Sequence, residues 1–148
     1  MPMEPRPPLP PNRSVPPAVV IPVLYYPDVR AAVDWLSRAF GFVERLQIEA
    51  HRAQLMFEGG ALIVADRGEQ GPAEGWRTHS ILLRVTDADR LFAQAISGGA
   101  TVVMAPADQP FGERQCTVLD PGGHRWTLSQ TIGDSDPASW GGVLKEPT

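Results

Sequence analysis

The order of secondary structure written into residues 18–66 is written again into residues 79–130, and this repetition constrains the fold more than any other feature. Ala18–Tyr26 is apolar and β-branched, a strand. Asp28 then offers an N-cap to Val29–Phe40, where Val29, Val33, Leu36 and Phe40 recur at helical spacing before Gly41 stops the helix. Short strands follow at Phe42–Glu49, Arg52–Phe57 and Ala61–Asp66, the last two joined by a tight turn at Gly59–Gly60. The order restarts with a strand at His79–Val85. Thr86 or Asp87 caps a helix whose Ala88, Leu91, Phe92, Ala95 and Ile96 form one apolar face, and Gly98–Gly99 ends it. Strands near Thr101–Met104, Glu113–Leu119 and Arg125–Gln130 close the second half, the last pair turned by Asp120–Pro121–Gly122–Gly123. Superposed, Asp28 falls on Asp87, Gly41 on Gly99 and Gly59–Gly60 on Gly122–Gly123. Matching caps and turns in the same order predict an α+β fold of two tandem βαβββ units, 18–66 and 79–130, joined by a linker at 67–78.

The ends lie outside this repeat. Half of the 16 prolines fall within residues 1–17, so this stretch predicts an extended arm, since proline fixes φ and removes backbone donors. Residues 131–148 lack periodicity and read as a C-terminal tail. Pro22 falls within the first strand, which demands a sheet edge there, and the arm is expected to cover that edge. With 148 residues, net charge −4 and a pI near 5.3, the chain is one acidic domain's worth and a poor partner for nucleic acid. One cysteine excludes an intrachain disulfide. The longest apolar run, Ala18–Tyr26, is too short to span a membrane, and no charged-then-apolar leader precedes it. These features together predict a cytoplasmic location.

The segments PVLYYPDVRAAVDWLSRAFGF (22–42), VTDADRLFAQAISGGA (85–100) and FGERQCTVLDPGGHRWTLSQ (111–130) resemble the vicinal oxygen chelate superfamily, the glyoxalase, bleomycin-resistance and dioxygenase proteins. The last segment is similar to the terminal hairpin of the glyoxalase-like branch that includes PhnB-type proteins. The resemblance implies that the two units form a curved mixed sheet around a cleft, with helices on the outside. It leaves the activity open, because the superfamily hosts lyases, isomerases, dioxygenases and drug binders that catalyse nothing. In its metal-using members, side chains from the first and last strands of both units hold a divalent ion. Transferred by position, these are Ile21, Val64, Ser80 and Thr127 here. Two are hydrocarbon and two are neutral hydroxyls, a donor set unsuited to a divalent cation, so no metal and no other cofactor is expected. His79 lies one residue from a ligand position, but it shares the parity of Ile81, Leu83 and Val85, which turns it toward the helices. A divalent metal remains the alternative if the register slips.

The same parity gives a cleft. Thr127 faces in, with Arg125 and Ser129, while Trp126 and Leu128 pack under the helices. A four-residue turn pairs Val118 with Thr127 and Cys116 with Ser129, bringing in Arg114. Ser80, Leu82 and Arg84 complete this wall. The other wall is Ile21, Val23, Tyr25, Leu55, Phe57, Leu62 and Val64, with Asp66 at its end. The ligand-binding candidates are therefore Tyr25, Phe57, Val64, Ser80, Leu82, Arg84, Arg114, Cys116, Thr127 and Ser129. Arg84 and Arg114 either bind an anionic or carbonyl-bearing ligand or pair with Asp66 or Glu113. Tyr25 and Phe57 either stack on a planar ligand or fill the core. Trp76 lids the cleft or anchors its loop. Cys116 has no paired histidine and reads as an inert small residue, and His124 as a polar turn residue.

The reading is a small-molecule binding protein of the glyoxalase/bleomycin-resistance type, metal-independent and homodimeric, holding its ligand between the units. The alternatives are a metal-dependent lyase or dioxygenase of the same superfamily, and a non-catalytic interaction module. No catalytic residue is assigned.

Overall fold

Each half of the chain folds as its own four-stranded sheet carrying one helix, in a computed structural model that describes residues 10–66 and 79–144. The first unit runs β1 (Val23–Tyr26), α1 (Val29–Phe40), β2 (Val43–Ile48), β3 (Arg52–Phe57) and β4 (Gly60–Asp66). The second runs β5 (Ile81–Arg84), α2 (Ala88–Ser97), β6 (Thr101–Asp108), β7 (Glu113–Leu119) and β8 (Arg125–Thr131). The strand orders, β1-β4-β3-β2 and β5-β8-β7-β6, are the same order repeated. In both sheets the helix crossover makes one parallel pair, and hairpins make the rest antiparallel.

The caps predicted from sequence are in place. The Asp28 carboxylate accepts from the Ala31 N–H at 3.0 Å, and that of Asp87 accepts from the Arg90 N–H at 3.1 Å. Gly41 ends α1 in the left-handed region at φ 92°, where its N–H and that of Phe42 satisfy the last carbonyls. The apolar stripe of α1 is fully used: Val29, Ala32, Val33, Trp35, Leu36, Ala39 and Phe40 are all buried.

The two units share one core. Trp126 of β8 is completely buried, with its ring centroid 5.1 Å from that of Phe40 and 5.7 Å from that of Phe42. Helices α1 and α2 pack on each other, and the Trp35 indole N–H donates to the Gly98 carbonyl at 2.7 Å. A polar knot ties the end of β1 to the β7–β8 turn. Asp120 is 4% exposed, and its carboxylate accepts from the Tyr26 hydroxyl at 2.5 Å, the Trp126 indole N–H at 2.9 Å and the His124 backbone N–H at 2.9 Å. Burial and the neighbouring carboxylate push the Tyr26 phenol above its ordinary value, so it stays a donor.

Several boundaries differ from expectation. The first strand starts at Val23 rather than Ala18. Pro22 precedes it at the β1 edge of the sheet, its carbonyl accepting from the Ile63 N–H of β4. The second unit's first strand starts at Ile81. The sixth strand runs on to Asp108 and contains Pro106, expected in a loop. It is an edge strand whose register shifts between Met104 and Ala107, so the missing N–H breaks no ladder bond. Within the C-terminal segment Pro137–Trp140 form a 3-10 turn, and Trp140 packs on Phe111. Trp76 and the linker lie outside the described residues.

Candidate functional site

The register of each sheet decides which side chains leave the core. In the first unit Leu24, Val64 and Ala53 lie in one row, and Leu55 pairs with Leu62; all five are buried with α1. The opposite, helix-free face is Val23, Ile63, Gln54 and Leu46 in one row and Tyr25, Ala65, Arg52 and Ile48 in the next. Val23 and Tyr25 are therefore on the predicted wall, and Tyr25 is 49% exposed. Val64 and Phe57 are not. Val64 is completely buried beneath α1, and Phe57 packs on Phe42 at 5.3 Å on the core side. Leu55 and Leu62 share that correction. Strand β4 is apolar in both phases, so parity alone could not orient it; the transferred metal position put it one residue out.

In the second unit Leu82 pairs with Thr127 and Arg84 with Ser129, which keeps the four on the common face expected of them. The hairpin register differs. Asp120 pairs with His124 across a three-residue loop, Pro121–Gly123, with Gly123 at φ 88°. Thr117 thus pairs with Thr127, Gln115 with Ser129 and Glu113 with Thr131, while Val118 and Cys116 face Trp126 and Leu128. This removes Cys116 and Arg114 from the wall. Cys116 is fully buried, and burial pushes its thiol up to about 11. Arg114 reaches Asp89 of α2 at 3.0 Å and Asp108 at 2.9 Å, partners other than the Asp66 or Glu113 considered from sequence. Its hydrogen bonds to those two carboxylates raise it above the ordinary arginine value.

What the corrected register brings together is a string of polar groups. The Gln115 side-chain N–H donates to Ser129 Oγ at 3.0 Å, and Ser129 Oγ donates to Glu113 Oε1 at 2.8 Å. The Arg84 guanidinium donates to Thr131 Oγ1 at 3.0 Å. Hydrogen bonds from Thr131 and then Ser129, with the Arg84 charge nearby, hold the Glu113 carboxyl below the usual carboxylate range. Thr117 and Thr127 share a 3.0 Å hydroxyl contact. Leu82, 54% exposed, lies beside Thr127 as the apolar part of this wall. A shallow cavity of about 390 Å³ opens where Arg84, Val85, Thr86, Gln130 and Thr131 meet. Ser80 is exposed immediately before β5. Sequence reasoning missed Glu113, Gln115 and Thr117; a turn one residue shorter would have found all three.

The first unit carries a second surprise. Gln54, in the middle of the apolar wall, is only 4% exposed because arm residues lie on it. Its side-chain N–H donates to the Ser14 carbonyl at 2.8 Å, its Oε1 accepts from Arg45, and Arg45 also donates to the Arg13 carbonyl at 3.1 Å. The arm therefore sits on the β2–β3 part of the helix-free face, rather than along the β1 edge where sequence reasoning put it.

The residues at the four transferred metal positions do not fit a divalent ion. Val64 points into the core, its helix-free neighbours Ile63 and Ala65 are also hydrocarbon, and Leu82 stands beside Thr127. Among the described residues no three His, Cys, Asp or Glu side chains cluster to hold a metal. His79 is exposed, with its ring 6.3 Å from that of His124, and His124 itself contacts the Tyr25 carbonyl at 2.8 Å. Sequence reading gave His124 only a turn role; it also joins the two units. Among the described residues no helix is long and apolar enough to cross a membrane.

Comparison with known proteins gives a consistent result. The sequence pattern of the Glyoxalase/Bleomycin resistance protein/Dioxygenase superfamily matches residues 18–128. An uncharacterized protein of Mycobacterium bovis is 33% identical, with 75% of this chain and 82% of that protein covered. The crystal structure of TioX from Micromonospora sp. ML1 is 33% identical, with TM-score 0.64, and covers 78% of this chain and 99% of its own. A glyoxalase/bleomycin resistance protein/dioxygenase family enzyme from Burkholderia phytofirmans shares the fold, with TM-score 0.65 at 17% identity over 76% of this chain and 97% of its own.

Proposed function

Because the chain belongs to the glyoxalase/bleomycin resistance protein/dioxygenase superfamily, we propose that it binds a small molecule between the helix-free faces of its two kinds of unit, without a metal. The observation that carries this reading is that one helix-free face bears an apolar platform, Val23, Tyr25 and Ile63, and the other bears the polar string Gln115–Ser129–Glu113–Thr131–Arg84. An apolar surface with a few fixed polar groups suits a ligand with a flat hydrocarbon body and a hydrogen-bonding edge. Arg84 has its guanidinium exposed and makes a hydrogen bond to a hydroxyl, which leaves donors for an acidic or carbonyl group. Val23 and Tyr25 on one face and Leu82 on the other stay exposed in the single chain, and this supports a homodimer in which each face meets its complement. The free, buried thiol of Cys116 suits the reducing cytoplasm.

The test uses the fluorescent probe 8-anilinonaphthalene-1-sulfonate, a flat apolar ring system with an anionic edge. Full-length protein treated with EDTA is expected to bind it saturably, with Tyr25→Ala and Arg84→Ala each weakening binding at least about fivefold, roughly one lost contact. Binding unchanged in both variants would overturn the placement of the site. A stoichiometric divalent ion retained by protein purified without chelator would overturn the metal-free reading.

A further inference from the structure

A glutamine in the centre of an apolar wall has to be satisfied at both ends of its amide. Gln54 has Ile63 and Leu46 as its neighbours across the sheet, yet it is 4% exposed. Arg45 fixes its carbonyl end, and this aims the N–H₂ end off the sheet, where it meets the Ser14 carbonyl at 2.8 Å. A second Arg45 nitrogen points the same way, to the preceding carbonyl, Arg13, at 3.1 Å. Two rigidly held donors thus address two consecutive backbone carbonyls. Close by in the arm, Pro16 is buried.

Among the described residues the arm's hydrogen bonds to the sheet run through those two carbonyls, with buried Pro16 as its apolar anchor. Its Ser14 N–H bonds to Asn12 Oδ1, its Val15 N–H to the Asn12 carbonyl and its Ala18 N–H to the Pro16 carbonyl, so these donors are spent internally. It therefore leaves the surface without unzipping a ladder. The flanking side chains add little, since Val15, Val19 and Val20 are 46%, 72% and 82% exposed. The docked segment is a turn at Arg13–Ser14 rather than the extended arm expected from sequence, and the prolines at 16 and 17 fix φ just beyond it and lower the entropy of docking.

We propose that Gln54 and Arg45 form a carbonyl-reading subsite for a proline-flanked turn of peptide, and that residues 13–16 of the arm occupy it in cis as a displaceable lid. The subsite shares the first unit's face with the ligand site proposed above. Any occupant of that part of the wall competes with the arm.

The experiment keeps the full chain. A fluorescein-labelled peptide of residues 10–18 is titrated against wild type, Pro16→Asp, and Pro16→Asp with Gln54→Leu, and binding is read by fluorescence anisotropy. The tethered arm acts at an effective concentration in the millimolar range, so releasing it in Pro16→Asp is expected to strengthen peptide binding by roughly tenfold or more. Adding Gln54→Leu is expected to abolish that gain. Equal binding to wild type and Pro16→Asp, or a gain that survives Gln54→Leu, overturns the proposal. Arg45→Ala in the Pro16→Asp background serves the same purpose if the leucine variant does not fold. Arg84→Ala leaves this readout unchanged, so failure here is distinct from failure of the small-molecule reading.

Discussion

Tyr26→Phe isolates the knot that fixes the β7–β8 register and with it the composition of the polar wall. The substitution keeps the ring, which packs on His124 at a centroid distance of 4.6 Å, and removes only the hydroxyl. That hydroxyl donates to Asp120 at 2.5 Å, with both residues 4% exposed. A hydrogen bond to a buried charged group contributes about 1.5–3 kcal/mol, and here the lost donor leaves a carboxylate oxygen with Trp126 as its remaining side-chain partner. The expected loss is about 2 kcal/mol. For a chain of this size it lowers Tm by roughly 4–8 °C, read by circular dichroism and confirmed by the urea midpoint. Asp120→Asn is expected to cost more, because one carboxamide oxygen replaces an acceptor pair that serves three donors, and its NH₂ faces donors. The reasoning is refuted if both variants unfold within about 0.5 kcal/mol of wild type, the range of ordinary surface substitutions.

Other outcomes follow from the same geometry. Cys116, fully buried and with its thiol pushed up to about 11, is expected to ignore a thiol reagent at pH 8 until the protein unfolds; rapid labelling of native protein would place it back on the open wall. Glu113 is held below its ordinary 4.5, so its stabilising effect is present above that value and is lost as pH falls through the lowered one. Glu113→Gln is therefore expected to flatten the acid limb of the stability curve, and an unchanged limb would count against the Ser129 and Thr131 bonds. Gly123→Ala forces a Cβ into the left-handed region at φ 88° and is expected to cost about 1–2 kcal/mol in thermal unfolding; no cost would mean a different turn.

The duplicated order was legible because it rests on local chemistry: Asp28 and Asp87 as caps, Gly41 as a stop, and strands separated by glycine turns. The wall of the second unit was half legible. Thr127, Ser129, Leu82 and Arg84 followed from strand alternation, but their partners on β7 depended on the length of one loop, and one residue there turns every side chain over. In the first unit, β4 offers hydrocarbon in both phases, so nothing within that strand separated Val64 from Ile63, and the orienting signal lay in Arg52 and Gln54 of β3. Gln54 was a visible exception in that run. Its meaning needed the arm, whose contact is non-local and made through backbone carbonyls that every sequence possesses.

The most direct measurement is a map of amide chemical shifts as EDTA-treated full-length protein is titrated with 8-anilinonaphthalene-1-sulfonate. Saturable shifts are expected on both helix-free faces, around Tyr25 and Ile63 and around Leu82, Thr127 and Ser129, with no added metal. Shifts confined to the cavity of about 240 Å³ lined by Trp35, Pro121 and Gly122, or appearing only once a divalent ion is supplied, would contradict this reading.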